Sequence, residues 1–234
     1  MGKLNEKLSQ RCFGKILDIA TRDGAFIRRL SQNLQGYDEI IGIDISDQGF
    51  AEAKSRFAGD NKINFQVMDG CHTDFEDKFF DLVCLSNSLH HIEDIPVLLD
   101  EMRRIKKDDG WILISEMPAD GQTGASLTHA LIHHLDCLID TYHGHYHHPT
   151  YTRQEIHNMV AKSGLEIIDV FDDVEVDLLV NDALKKRVGR ALNRVNECCQ
   201  ASNYAVMHDL ALKIQENFHS FGANSAVQYV VFAK

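Results

Sequence analysis

KILDIATRDGAFIRRLSQNLQGYDEIIGIDIS, residues 15–46 of the 234-residue chain, decides the fold. Its pattern predicts a strand, a tight acidic turn, a helix and a second strand. Asp18 and Asp44 each stand at the carboxyl end of an apolar run. In an open parallel sheet this is the edge where ligands bind, beside the first crossover. Two carboxylates there favour a ligand rich in hydroxyl and amino donors, such as a nucleoside, over a bare pyrophosphate.

Apolar runs typical of strands alternate with helix-like segments along the rest of the chain. We predict seven strands, at residues 15–20, 39–44, 63–68, 80–85, 111–115, 165–171 and 226–233. The alternation and the short connections indicate an α/β fold with a doubly wound, largely parallel sheet whose two faces are covered. Asp94 is predicted to cap the helix before the fifth strand, and Gly110 to end that helical segment.

Two helical segments interrupt this alternation, after the fifth and the sixth strands. Residues 118–149 are rich in histidine and contain a predicted helix at 125–141. Residues 174–222 carry helical spacing, with Asn203 as the predicted break between two helices. We predict one domain over residues 1–234 with these two segments as insertions.

Composition excludes several classes of function. The net charge of −11 argues against nucleic acid and against anionic membranes as partners. The first eleven residues, MGKLNEKLSQR, lack the apolar core of a signal peptide, and no apolar run reaches transmembrane length. The six cysteines are scattered and include no C-x-x-C pair, so we expect reduced thiols in a cytoplasmic protein.

The turn from Asp18 to Gly24 carries a family resemblance. A dinucleotide-binding turn would place G-x-G-x-x-G directly after the strand, and that pattern is absent. The turn is similar instead to the acid-x-Gly-x-Gly-x-Gly motif of the class I S-adenosylmethionine-dependent methyltransferases. Ala20 and Arg22 stand at the first two glycine positions, and Gly24 is kept. D-x-A-T resembles a variant in the ubiquinone and menaquinone biosynthesis branch.

Further segments resemble the same family in the same order along the chain. They are Ile41-Gly-Ile-Asp-Ile-Ser, Phe65-Gln-Val-Met-Asp-Gly, Phe80-Asp-Leu-Val-Cys-Leu-Ser-Asn-Ser-Leu-His-His-Ile, residues 101–114 and residues 228–234. The resemblance implies an antiparallel last strand, S-adenosylmethionine as the cofactor and a small-molecule methyl acceptor. It also implies a cofactor set of eleven residues: Asp18, Ala20, Thr21, Arg22, Gly24, Asp44, Ile45, Asp69, Gly70, Ser86 and Asn87.

In this family the second-strand acid binds both ribose hydroxyls, and the acid after the third strand receives the adenine amino group. The resemblance therefore assigns these roles to Asp44 and Asp69. His91 and Glu116 are the candidate catalytic residues. His91 follows the fourth predicted strand, and Glu116 stands at the carboxyl end of the fifth. A general base is needed only for a protonated acceptor.

Because only about a dozen residues precede the first strand, we predict that residues 118–149 form the lid over the active site. Residues 174–222 are predicted to be a second lid element or a homodimer element. Substrate choice would then rest on His90, Tyr142, His143 and Tyr146.

Seven of the 13 histidines fall within twenty residues: His129, His133, His134, His143, His145, His147 and His148. His129 and His133 share a helix face. We predict no metal site, and His129, His133, His145 and His147 are the alternative set for zinc, iron or nickel. The alternative function is a non-catalytic module that binds S-adenosylmethionine or a metal.

Overall fold

The computed structural model describes residues 2–174 and 178–234, so part of the predicted helical segment 174–222 lies outside the described residues. The strands are β1 (Cys12–Ile19), β2 (Gly36–Asp44), β3 (Ile63–Val67), β4 (Phe80–Ser86), β5 (Lys106–Glu116), β6 (Ile167–Asp173) and β7 (Gln228–Ala233). The helices are α1 (Lys3–Leu8), α2 (Ala25–Asn33), α3 (Phe50–Arg56), α4 (Ile95–Ile105), α5 (Gly124–Tyr142), α6 (Arg153–Lys162), α7 (Leu178–Glu197) and α8 (Tyr204–Phe221), with a 3₁₀ turn at Leu89–His91.

The chain divides into two compact units. The first comprises Met1–Glu116, Gln154–Asp173 and Tyr229–Lys234, and the second comprises Met117–Arg153 and Val174–Gln228. The second unit thus contains nearly the same residues as the two predicted insertions. Their predicted roles as a lid and as a dimer element stay predictions.

The first unit is built on a seven-stranded sheet in the order β3-β2-β1-β4-β5-β7-β6. Strands β1 to β5 pair in parallel, and β7 pairs antiparallel with β5, where Leu113 faces Phe232. This confirms the predicted α/β fold with an antiparallel last strand. The central strands are buried because their apolar runs face helices on both sides, as Ile16, Leu17 and Ile19 of β1 show.

The segment before β5 differs from the prediction. Helix α4 ends at Ile105, and Lys106 already belongs to β5, where it pairs with Phe80. The register then shifts, so that Trp111 is the next partner, opposite Leu82. The prediction that Gly110 ends the helical segment is therefore wrong: Gly110 lies inside β5, in an irregular stretch whose polar side chains concealed the strand.

Two predicted helix boundaries are confirmed. The Asp94 carboxylate accepts the Val97 N–H at 3.2 Å and caps α4. Asn203 stands immediately before α8, although its side chain makes no capping hydrogen bond.

The second unit has its own apolar core between α5, α7 and α8. Its members include Ile132, Leu135, Ile139, Leu184, Val188, Val195, Met207, Leu210 and Ile214. Polar contacts join the helices at the rim of this core. The Asn217 amide donates to the Gly124 carbonyl at 2.9 Å, and Asp136 forms ion pairs with Arg187 and Arg194. Among the described residues, no helix is both long and apolar enough to span a bilayer.

Helix α1 was not predicted, and a buried ion pair explains why it forms. The Asp173 carboxylate at the end of β6 accepts the Leu4 N–H at 3.0 Å and the Arg29 guanidinium at 2.6 Å. Arg29 also donates to the Asn5 side chain at 2.6 Å. Leu4 and Leu8 are fully buried beneath this network. Six residues are too few for a stable isolated helix, so these distant contacts hold α1 in place.

We expect Asp173→Ala to lower the free energy of unfolding by about 3–5 kcal/mol, because it leaves the Arg29 charge buried without this partner. Urea denaturation followed by the fluorescence of Trp111, the single tryptophan, reports on the first unit. Asp172→Ala removes an exposed neighbouring carboxylate and should change the unfolding free energy by less than about 1 kcal/mol. Equal losses in the two variants would contradict the role given to Asp173.

Candidate active site

The turn after β1 buries a carboxyl group. Asp18 is 1% exposed, and its Oδ2 atom accepts the Thr21 hydroxyl at 2.7 Å. Its Oδ1 atom is buried and has no hydrogen-bond partner among the described residues. Burial raises the pKa of Asp18 to about 7; the Thr21 hydrogen bond opposes this shift and the charge of Asp44 adds to it. The end of β1 therefore holds a carboxyl group with one oxygen available to a donor.

The turn takes a backbone shape that glycine would adopt easily. Ala20 and Arg22 have positive φ angles of 55° and 49°, which cost a non-glycine residue about 1–3 kcal/mol each. Two hydrogen bonds to β2 hold this shape: Thr21 N–H donates to the Ile43 carbonyl at 2.9 Å, and Arg22 N–H donates to Asp44 Oδ2 at 3.0 Å. The turn is thus fixed against the next strand at both residues.

Gly24 stands directly before α2 with a φ angle of 71°. A Cβ atom there would lie 3.0 Å from the Phe57 ring and 3.3 Å from the Phe65 ring. The glycine predicted from the motif therefore has a structural role, since both its conformation and its tight packing disfavour a side chain.

The ends of β2 and β3 present exposed apolar side chains beside an acid. The register places Asp44 opposite Val67. Asp44 Oδ1 accepts the Ser46 N–H at 3.3 Å. Ile45 is 78% exposed and Val67 is 59% exposed. These side chains offer an apolar surface of the kind that a planar ligand ring covers. Sequence reasoning missed Val67, because its apolar strand pattern predicts burial.

The connection after β3 approaches the end of β1. Asp69 is exposed, and its Oδ1 atom accepts the Cys71 N–H at 2.9 Å, so it caps its own turn. A Cβ atom at Gly70 would collide with the Ile19 side chain. Gly70 therefore allows this loop to lie against β1, which brings Asp69 to the same edge of the sheet as Asp18 and Asp44.

The loop after β4 contributes Ser86 and Asn87 to this edge. Asn87 is exposed with a positive φ angle of 48°, and its N–H donates to the Ser115 carbonyl at 2.8 Å. The Ser86 carbonyl accepts the Ser88 hydroxyl at 2.9 Å. The loop is therefore tied to the end of β5.

Glu116, at the end of β5, and His90, in the 3₁₀ turn that follows β4, form a buried pair. Glu116 is fully buried, and its Oε2 atom accepts the Leu89 N–H at 2.8 Å. Its Oε1 atom lies 3.0 Å from His90 Nδ1. A carboxylate only accepts hydrogen bonds, so His90 Nδ1 carries a proton and its N–H donates a hydrogen bond to Glu116. The sequence singled out Glu116 and both histidines but not this pairing; His91, the predicted catalytic residue, is exposed.

The carboxyl edge of the first unit thus brings together all eleven predicted cofactor residues, with His90, His91 and Glu116. The other predicted site residues belong to the second unit. Tyr142, His143 and Tyr146 are exposed there, and their part in substrate choice stays a prediction. His129 Nδ1 accepts the Ala226 N–H at 3.0 Å, and burial lowers the pKa of His129 to about 4.

The raised pKa of Asp18 makes folding stability depend on pH. An unfolded chain releases this proton near pH 4, whereas the folded chain keeps it up to about pH 7. The stability that protonation supplies is therefore complete below about pH 4 and is lost as the pH rises to about 7. We expect the melting temperature of Asp18→Asn, relative to the unsubstituted chain, to rise across this window and to level off above it.

Thermal melts at a series of pH values, followed by Trp111 fluorescence, measure this difference. Asp47→Asn is the control, because Asp47 is an exposed acid in the loop after β2. The melting temperature of Asp47→Asn should change with pH in the same way as that of the unsubstituted chain. If the melting temperature of Asp18→Asn also follows that of the unsubstituted chain at every pH, the pKa of Asp18 is not raised by folding.

Comparisons with known proteins identify the family. Residues 2–170 match the family model Methyltransf_23, described as a methyltransferase domain. The chain is 30% identical over 115 residues to the highly reducing polyketide synthase GPY1 of Gibberella fujikuroi, and 29% identical over 102 residues to the demethylmenaquinone methyltransferase of Staphylococcus aureus. These matches cover 45% and 44% of this chain, but only 4% and 42% of the two relatives.

A solved structure supports the fold. The YcgJ protein of Bacillus subtilis superposes with a TM-score of 0.61 at 20% identity, and the match covers 98% of this chain and 94% of that one. Together with the family match over residues 2–170, the sheet order and the acid-ended strands confirm the resemblance inferred from the sequence. The chain belongs to the methyltransferase domain family.

Proposed function

We propose that this chain is an S-adenosylmethionine-dependent methyltransferase that acts on a small molecule. The observation that carries this proposal is Asp18 Oδ1, a buried acceptor at the end of β1 to which none of the described residues donates a hydrogen bond. Buried polar atoms are normally paired, so such an atom at the ligand edge of a parallel sheet indicates a missing donor. The ammonium group of S-adenosylmethionine is a donor of suitable charge.

The neighbouring residues fit the rest of this cofactor. Asp44 lies at the end of β2, where a carboxylate can accept both ribose hydroxyls. The exposed side chains of Ile45 and Val67 suit the faces of an adenine ring, and Asp69 suits its amino group. The positive charge of the cofactor also matches an edge that carries three acids. A pyrophosphate would meet the same acids unfavourably, which supports this cofactor over a nicotinamide dinucleotide.

Glu116 and His90 would serve the methyl acceptor. When bound, S-adenosylmethionine supplies an electrophilic methyl group and a thioether leaving group. The protein needs to orient the acceptor and, if the acceptor is protonated, to take its proton. Glu116 fixes the proton of His90 on Nδ1, so Nε2 is the ring nitrogen that can exchange a proton with an acceptor. We therefore assign the base to His90 and treat Glu116 as its positioning residue.

Asp44→Ala tests the cofactor assignment. Loss of a charged acceptor costs about 1.5–3 kcal/mol, so we expect affinity for S-adenosylmethionine to fall about 10- to 100-fold. Isothermal titration calorimetry with S-adenosylmethionine and with S-adenosylhomocysteine measures this change. The Asp44 carboxylate also accepts hydrogen bonds from the Arg22 and Ser46 N–H groups, so Asp44→Ala could disturb the turn. Asp44→Asn keeps the shape of the side chain and should be tested in parallel.

Asp47→Ala is the matched control, since it removes a nearby exposed carboxylate that forms no hydrogen bond or ion pair with the turn in the described part of the chain, and it should bind like the unsubstituted chain. Unchanged affinity in both Asp44 variants would refute the ribose assignment. Absence of binding to the unsubstituted chain would refute the proposed function as a whole.

Glu116→Gln tests the positioning role. The Leu89 N–H can only donate, so the glutamine oxygen should turn toward it and the NH₂ group toward His90. His90 Nδ1 must then accept a hydrogen bond, and we expect the His90 proton to move to Nε2. Long-range ¹H–¹⁵N spectra of histidine-labelled protein distinguish the two ring nitrogens.

The exposed Glu93, three residues after His90, supplies the control Glu93→Gln, which should leave the His90 spectrum unchanged. If His90 keeps its proton on Nδ1 in Glu116→Gln, Glu116 does not set the tautomer.

A further inference from the structure

The loop after α5 folds back onto that helix and buries one histidine. His133, Cys137 and Asp140 follow one another at helical spacing, so they share a face of α5. The Cys137 thiol donates to the His147 carbonyl at 2.9 Å, and the His145 N–H donates to the Asp140 carbonyl at 2.9 Å. These contacts lie within the second unit and leave His147 only 7% exposed. The loop is therefore a built structure that presents His147 to one face of α5.

Asp140 determines which nitrogen of His147 carries a proton. Asp140 Oδ2 lies 2.8 Å from His147 Nδ1. Because a carboxylate accepts only, Nδ1 of His147 is the protonated nitrogen, and in the neutral ring Nε2 carries the lone pair. A histidine whose other ring nitrogen donates to a carboxylate is the usual arrangement around a metal ion, since it orients the ring and raises its basicity.

The His147 Nε2 atom lies 3.4 Å from the Nε2 atom of His133, and the two rings are nearly perpendicular, at 82°. Two nitrogens bound to one tetrahedral Zn²⁺ at roughly 2.0–2.1 Å are about 3.3–3.4 Å apart. A direct N–H···N hydrogen bond would normally be shorter, within roughly 2.7–3.2 Å by analogy with N–H···O bonds. The observed separation is the one expected for two ligands of one ion, and it is long for a donor and an acceptor.

We propose that His133 and His147 bind a divalent transition-metal ion, such as Zn²⁺, through their Nε2 atoms, with Asp140 as the carboxylate that orients His147. The two imidazoles leave coordination positions that water or the oxygen atoms of a small molecule can fill. The proposal keeps two members of the four-residue set expected from the sequence. The other two members are not part of the proposed site. His145 is exposed, and His129 Nδ1 accepts a hydrogen bond from the Ala226 N–H.

Cobalt(II) titration of protein expressed without a histidine tag tests this site, because Co²⁺ replaces Zn²⁺ and absorbs visible light. Chelator-treated protein should develop a ligand-field band that saturates at one equivalent and disappears when Zn²⁺ is added. His133→Ala and His147→Ala should abolish the band. Asp140→Asn should weaken binding about 10- to 100-fold, as loss of a carboxylate behind a histidine ligand does.

His134→Ala and His148→Ala are the controls, because both histidines are exposed neighbours of the proposed ligands. Both should bind Co²⁺ like the unsubstituted chain. His147 is buried, so the fold of each variant is verified by circular dichroism, and His133→Ala provides the test if His147→Ala does not fold. Zn²⁺ should also raise the melting temperature of the unsubstituted chain but not that of His133→Ala.

Absence of the band would overturn the proposal. So would binding that survives in His133→Ala, or an equal loss in the two control variants, which would indicate nonspecific binding to surface histidines. None of these measurements uses S-adenosylmethionine, so the metal site can fail while methyl transfer stands, and the reverse also holds.

Discussion

The Asp18 carboxyl group is the constraint on which the ligand edge of the first unit depends. It lies at the end of β1, which stands between β2 and β4 in the sheet. Removing a carboxyl group from water is costly, and the Thr21 hydroxyl compensates only one of its oxygens. The raised pKa expresses that cost directly. Among the described residues no donor reaches the other oxygen, a feature that folding alone does not favour. The cofactor binding proposed above would supply that donor.

The fold could be predicted in its main features because buried parallel strands leave a strong signal in the sequence. Continuous apolar runs such as Ile16–Leu17 and Ile40–Ile41 mark strands covered on both faces. The signal fails where a strand is polar, as in the irregular start of β5 at Lys106. It also fails for α1, which depends on Asp173, 169 residues away from Leu4. A local pattern cannot show a contact between residues so far apart.

The candidate site was predictable to the extent that position alone determines it. Asp18 and Asp44 end neighbouring parallel strands, so topology must bring them to one edge. The pairings between side chains were not predictable. Glu116 meets His90 only because β4 and β5 are adjacent, and Asp140 meets His147 only because a loop folds back onto α5. Each pairing determines which ring nitrogen of a histidine carries the proton. Residue types and spacings alone do not predict this tautomer.

Arg22 shows how the turn keeps its form without the glycine that the family resemblance leads one to expect. The turn requires a positive φ angle and a backbone N–H, and Arg22 supplies both, with its side chain exposed. Its N–H holds Asp44 in place at 3.0 Å, as a glycine N–H would. The cost of the left-handed conformation, about 1–3 kcal/mol, is offset in part by the hydrogen bonds to β2. The departure from the motif therefore changes the side chain beside the ligand edge while the geometry that positions the second acid is kept.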